Sequence, residues 1–221
     1  MKLQTLIAKA EGGDAHAQNE LGVAYEYGER GLQENKEEAF HWFMQAAKQG
    51  FTLAQYNVGI YYHSVQQNYE EAFKWYKKAA RKGHNGAIYN LGVMYHEGLW
   101  MKKNSRVAFR YFLKAAQSGY VDAQNAVGFY YNGFGRVKRI NYQKVVQWYI
   151  KSFETDGNHG TAQTIGIIYE KGGPKLKPDL KEAEKWYEIA KSEKALERVR
   201  AKMNTADNPS AGNRDAEYYE P

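Results

Sequence analysis

The chain has 221 residues, with 31 Lys+Arg against 25 Asp+Glu and no cysteine. Its formal charge of +6, with 43 % hydrophobic and 25 % charged residues, is the composition of a packed globular chain and not of a disordered or fibrous one. The lack of Cys excludes a disulfide framework, a thiolate metal site and a Cys nucleophile, and no apolar stretch approaches the ~18–20 residues of a membrane span.

The first segment, MKLQTLIAKAEGG, is interrupted by Gln4, Thr5 and Lys9 and makes a poor signal peptide. As written, the sequence points to the cytoplasm, or to the periplasm or secretion if a leader has been removed. Residues 1–11 read as a capping half-helix, the tail of a second helix from a preceding unit.

From residue 12 the chain repeats itself. Gly22, Gly59, Gly92, Gly128 and Gly166 are spaced by 37, 33, 36 and 38 residues, a mean period of 36. Nine residues before each stands another Gly, from Gly13 to Gly157, and three residues after each stands a Tyr, from Tyr25 to Tyr169. A large aromatic follows at Trp42, Trp75, Tyr111, Trp148 and Trp186, flanked by small residues such as Ala39 and Ala46. The units span about 12–49, 50–82, 83–118, 119–156 and 157–192.

Each unit reads as two helices. In unit one the first runs from about Ala15 to Tyr27, with Ala17, Leu21 and Tyr25 at helical spacing. The second runs from about Lys36 to Lys48, and a Gly follows it where a left-handed C′ residue is expected. The Gly inside the first helix costs about 1 kcal/mol relative to Ala. Close packing of the two helices must offset that cost, and the spacing predicts that Gly22 and Trp42 of one unit lie together.

These columns, with the recurring AQYNVGIYY at 54–62 and AQNAVGFYY at 123–131, resemble the Sel1-like repeat family, a relative of the tetratricopeptide repeat. The resemblance covers roughly residues 12–192. It implies an all-α chain, a right-handed α-solenoid of five helix-turn-helix units used for protein binding, with terminal capping helices. A plain tetratricopeptide array, with its period of about 34, is the close alternative. Unit four departs from the pattern, with Val145, Ser152 and Phe153 at small positions, so its second helix is expected to sit further out. Unit five shifts its Ala-Gln to Ala162-Gln163.

At the C-terminal end the next capping Gly would fall at Lys194. The helix there either runs on or breaks at Ser192 and resumes as a capping helix over 193–203, with Leu196, Val199 and Met203 on one stripe. Residues 204–221 read as a flexible tail carrying Tyr218-Tyr219.

First helices usually line the concave side of such arrays. Three positions before the internal Gly stand Asn19, Tyr56, Tyr89, Asn125 and Gln163. One after it stands an apolar row that includes Phe129, and four after it stand Glu26, His63, His96, Asn132 and Glu170. Amides and phenols can pair with an extended peptide while the apolar row takes its anchors. Asn19, Tyr56, Tyr89, Asn125, Gln163, Phe129, His63 and His96 are therefore the candidate partner contacts. A second candidate interface is a basic ridge of Trp100, Lys102, Lys103, Arg106, Arg136, Lys138 and Arg139, suited to an acidic partner or polyanion.

No Walker-type loop, His-Glu-x-x-His or G-x-S-x-G occurs, and Glu37-Glu38 and Glu70-Glu71 start second helices, where the dipole favours acids. The expectation is a non-enzymatic adaptor for a protein or peptide partner, without cofactor or metal and with nucleic acid a lesser fit. The resemblance adds a toxin-neutralising immunity-type role as one form of that binding, and a hydrolase, as proposed for some members, as a further alternative.

Overall fold

A computed structural model describes residues 2–130 and 141–207 of the chain. The described residues form twelve helices and no strand, with one isolated bridge between Gly173 and Leu176. In order these are α1 (Leu3–Glu11), α2 (Ala15–Glu26), α3 (Lys36–Lys48), α4 (Thr52–Ser64), α5 (Tyr69–Arg81), α6 (Asn85–Glu97) and α7 (Ser105–Gln117). Then follow α8 (Val121–Phe129), α9 (Tyr142–Asp156), α10 (His159–Lys171), α11 (Leu180–Ile189) and α12 (Glu193–Asp207). The chain divides into two compact units, one ending at Tyr120 and the other starting at Val121. The first holds α1–α7 and the second α8–α12.

Within each unit a helix packs against its chain neighbours on both sides. A polar side chain starts every second helix. Asn35 accepts from the N–H groups of Glu37 and Glu38, Asn68 from Glu71, Asn104 from Val107, Asn141 from Lys144, and Asp179 from Lys181 and Glu182. These caps satisfy N–H groups that have no partner inside the helix. The cap's own N–H reaches back to the first helix. Asn35, Asn68, Asn104 and Asp179 donate to the carbonyls of Tyr25, Tyr62, Tyr95 and Tyr169, each at 2.8 Å. One residue thus both starts the second helix and ties it to the end of the first.

Second helices end as the sequence implies. Gly50, Gly83 and Gly119 have φ of +88°, +86° and +85°, and the residue after each donates back five positions, as Phe51 does to Ala46. This is the Schellman arrangement, in which a left-handed residue lets the chain satisfy the last carbonyls. The last repeat forms it without glycine. Lys191 takes φ +54° and the Ser192 N–H bonds to the Tyr187 carbonyl. The left-handed position is therefore Lys191 and not Lys194, because α11 is only 10 residues long. The chain breaks at Ser192 and α12 resumes to Asp207, past the boundary expected at 203. Residues 208–221, with Tyr218 and Tyr219, lie outside the described residues.

The Ala-Gln signature has a definite task at the same junctions. Gln18 Nε2 donates to the Ala10 carbonyl at the end of α1, and Gln55 Nε2 donates to the Ala47 carbonyl at the end of α3. In α2 and α4 a buried amide thus closes the C-terminus of the helix before it, whereas α6 has the buried Ile88 at that position. In α10 the shift places Ala162 at that position, buried, and leaves Gln163 exposed.

Candidate functional site

The internal glycines seat an aromatic ring, but not the one the spacing predicted. A Cβ at Gly22 would lie 2.6 Å from the ring of Phe43, and at Gly59 2.5 Å from Tyr76. At Gly92, Gly128 and Gly166 it would lie 2.7, 2.9 and 2.8 Å from Phe112, Tyr149 and Tyr187. The ring seated over each glycine belongs to the residue after the Trp column, so the expected Gly22–Trp42 contact is corrected to Gly22–Phe43. The longest of the five separations is at Gly128, in the unit whose second helix has the bulkier Val145.

The Trp column faces the other way. Trp75 joins Ala39, Phe43, Ala46 and Ala47 of α3 and Ala54 and Val58 of α4. Trp42 packs beside Leu6 and Ala10 of α1, and Trp186 beside Val145 and Val146 of α9. Each thus seals its repeat to the helix before it. Tyr111 stacks on Tyr95 at 5.7 Å, and Trp148 is half-buried with Lys151 over its ring.

The candidate contacts on the first helices divide. Asn19 is only 5 % exposed and its Oδ1 accepts from Asn57 Nδ2 at 3.2 Å, so it ties α2 to α4 and is not a surface contact. Tyr56 and Tyr89 are half-buried. The Tyr56 ring lies 4.2 Å from His84 and against Gly86, at the start of the next first helix, and Tyr89 lies between Phe112 and Tyr120. Both fill the seam to the following chain segment and are partly covered there. Asn125 is half-buried, whereas Gln163 and Phe129 are exposed.

His63 and His96 each rest on their own repeat's glycine-seated ring, Tyr76 at 6.2 Å and Phe112 at 6.5 Å. Burial holds the His63 imidazole below its ordinary pKa, and His96 lies 3.5 Å from Glu97. No group of three or more His, Asp or Glu side chains suited to a metal ion occurs among the described residues.

One position after the internal glycine every repeat holds an apolar residue that the fold leaves uncovered to some degree. Val23, Ile60 and Val93 are half-buried in the first unit, and Phe129 and Ile167 are exposed in the second. On the ridge Trp100 is 52 % exposed at φ +65°, its ring 5.2 Å from Phe73, and Lys102, Lys103 and Arg106 are exposed. Arg136, Lys138 and Arg139, with Asn132, lie outside the described residues.

Sequence reasoning missed the charge cluster at the last repeat. Glu170, with 4 % of its side chain exposed, accepts from Tyr187 Oη at 2.7 Å, from Arg198 Nε and Nη2 at 3.0 and 2.7 Å, and from Lys202 Nζ at 2.7 Å. The Arg198 guanidinium, ahead of Lys202 and Tyr187, holds its carboxyl down at about 2 against the pull of burial. The signal available in the sequence was Arg198 and Lys202, four apart on one face of α12.

Helix pairs that seat a ring on an internal glycine, repeat after repeat, define a helical repeat protein. The Sel1 repeat pattern matches residues 15–51, 52–84, 86–120, 121–154 and 165–193, and the chain belongs to that family. The protective antigen c5321 of uropathogenic Escherichia coli, which displays an SLR fold, is 36 % identical with a TM-score of 0.79. That match covers 87 % of this chain but 41 % of the antigen, so the chain spans about two fifths of its length. A Sel1 repeat protein from Oxalobacter formigenes is 31 % identical over 81 % of this chain and 73 % of its own, with a TM-score of 0.70. The immunity protein Pa5087 from Pseudomonas aeruginosa shares the fold at 21 % identity and a TM-score of 0.55, over 87 % of this chain and 73 % of its own. A search of curated proteins gives no match. No helix among the described residues is long and apolar enough to cross a membrane.

Proposed function

We propose that the chain is a non-catalytic adaptor that holds a protein or peptide partner against its first helices, the side that is concave in arrays of this kind. The supporting observation is the row one position after the internal glycine. Five equivalent positions are apolar and none is buried, although a helix face without a partner is normally polar there. Neutralising a toxin would be one use of such a face; the immunity protein Pa5087 has the same fold.

The test is affinity capture with the full chain, identification of the captured protein, and calorimetry with Ile60→Asp and Ile167→Asp. Affinity should fall at least tenfold in variants whose circular dichroism matches the parent. Unchanged affinity in both would refute the reading.

A second reading rests on residues 98–121, which carry Lys102, Lys103, Arg106, Arg110 and Lys114 and no acid. Binding there would be to a polyanion or acidic surface. It would weaken steeply with salt and respond to Lys103→Ala and Arg106→Ala but not to Ile60→Asp.

A further inference from the structure

Glu26 is the last residue of α2, where the helix dipole disfavours a carboxylate. It is half-buried, and burial raises its pKa with only partial relief from the charge of Lys36. Lys36 itself is 3.7 Å from Glu34. Glu26 has no hydrogen bond or ion pair among the described residues. A carboxylate kept in such a place destabilises the free chain and calls for a reason in binding.

The group lines a cavity of about 140 Å³ in the first unit, together with Lys36, Phe43, Asn57, Ile60, Tyr61 and Val65. Asn57 Nδ2 is engaged with Asn19, which leaves its Oδ1 as an acceptor. Ile60, Tyr61 and Val65 offer apolar walls.

The same molecule shows what this position takes when it is filled. Glu170 stands in the equivalent column, four residues after the internal glycine, and there Arg198 of α12 supplies two N–H groups. The Tyr187 hydroxyl adds a third bond. In repeat one the corresponding ring is Phe43, which has no hydroxyl, and among the described residues no arginine bonds to Glu26. Charge is distributed to match. In a chain of net charge +6, helices α2, α4 and α6 carry Glu20, Glu26 and Glu97 and not one Lys or Arg, whereas α5 and α7 hold seven.

We propose that the Glu26 cavity is an anchor site for an arginine of the partner protein. Glu26 takes two guanidinium N–H groups as Glu170 takes those of Arg198, Asn57 Oδ1 accepts another, and Ile60, Tyr61 and Val65 flank the methylene stem. The planar fork matches a carboxylate in two bonds, which a lysine ammonium does not. The site deepens the first-helix reading above and rests on it.

The test is an NMR titration of the full chain with N-acetyl-arginine N-methylamide, beside its neutral citrulline counterpart. Shifts should appear at the end of α2 and on α4 around Ile60 and Val65, with millimolar affinity. Glu26→Gln, which removes a charge disfavoured by the fold, should keep the structure and weaken binding at least tenfold, as should citrulline. The absence of shifts at α2 and α4, or shifts that survive Glu26→Gln, would overturn the site. A partner whose affinity falls with Ile60→Asp but not with Glu26→Gln would overturn the anchor while leaving the face intact. A partner indifferent to both would remove the face as well. Self-association in sedimentation that Glu26→Gln abolishes would make a second copy the occupant, against the proposal.

Discussion

Phe43, and not Trp42, occupies the space over Gly22: a Cβ at that glycine would stand 2.6 Å from its ring. The relation recurs at Gly59, where Tyr76 is fully buried and so cannot swing away. Gly59→Ala gains about 1 kcal/mol of helix propensity but forces a methyl into a packed ring, at about 1–3 kcal/mol for overpacking. The substitution should lower the urea midpoint, and Gly92→Leu should lower it further. A variant that melts at or above the parent would show that the ring does not need the missing side chain.

Trp42, Trp75 and Trp186 each seal a repeat to the helix before it, so their replacements should differ according to burial. Trp75 is nearly buried, and Trp75→Ala should cost about 3–5 kcal/mol. Trp42 is half-buried, and Trp42→Ala should cost less. Thermal melts of the two variants decide the order.

The period of the glycines made the helix pairs legible, because glycine weakens a helix and recurs inside one only where a neighbouring group needs the space of a side chain. The neighbouring columns were ambiguous by one position. Trp42 and Phe43 are neighbours that both stand at helical spacing from Ala39 and Ala46, and only the packing of the two helices selects which ring enters the glycine gap. Asn19 was misread for a related reason. An amide on a first helix looks the same in sequence whether it meets solvent or Asn57 of the next repeat. The cap residues from Asn35 to Asp179 form a column as regular as the Tyr, yet turns of unequal length shift their spacing to the glycine. The role of Glu170 could not be read from its own column, since its charged partners come from a helix 28 and 32 residues later.

His84 caps α6 with an imidazole nitrogen. Its Nδ1 accepts the Ala87 N–H at 3.2 Å, so that nitrogen must be unprotonated, and burial depresses its pKa. A proton there would remove the cap and add a positive charge at a helix N-terminus. The unfolded chain then binds the proton at higher pH than the folded one. Stability is complete above the ordinary histidine value of about 6.5 and declines as pH falls below it. His63, depressed by burial as well, should contribute in the same direction. His84→Asn keeps a capping acceptor that does not titrate, so its denaturation midpoint should change less between pH 7 and 5 than that of the parent. Equal slopes would show that the cap does not respond to protonation.

Lys191 holds a left-handed conformation at the position where earlier repeats use glycine. Lys191→Gly removes a steric penalty of about 1 kcal/mol or more at an exposed site, and the melting temperature should rise. If it falls, the added freedom of glycine in the unfolded chain outweighs the strain relieved.

Glu170 joins α10 to α12 through Arg198 and Lys202, both about half exposed, while the carboxylate itself is nearly buried. Its folded pKa of about 2 lies below the ordinary carboxylate value. The ionised group is therefore favoured by folding. Its stabilisation is complete above the unfolded value of about 4.3 and is lost as pH falls toward 2. Solvent screening of the two cations reduces the effect, so Glu170→Gln should cost about 1–3 kcal/mol near neutrality, less as pH falls below about 4, and little only near pH 2. The loss should appear first in α12. Amide exchange along Ala195–Met203 should quicken in the variant while α2–α7 keep their protection. Uniform quickening across both units would mean that α12 is not held locally by this cluster, and unchanged exchange would mean that Val199 and Ala195, buried against α11, hold it without the charges.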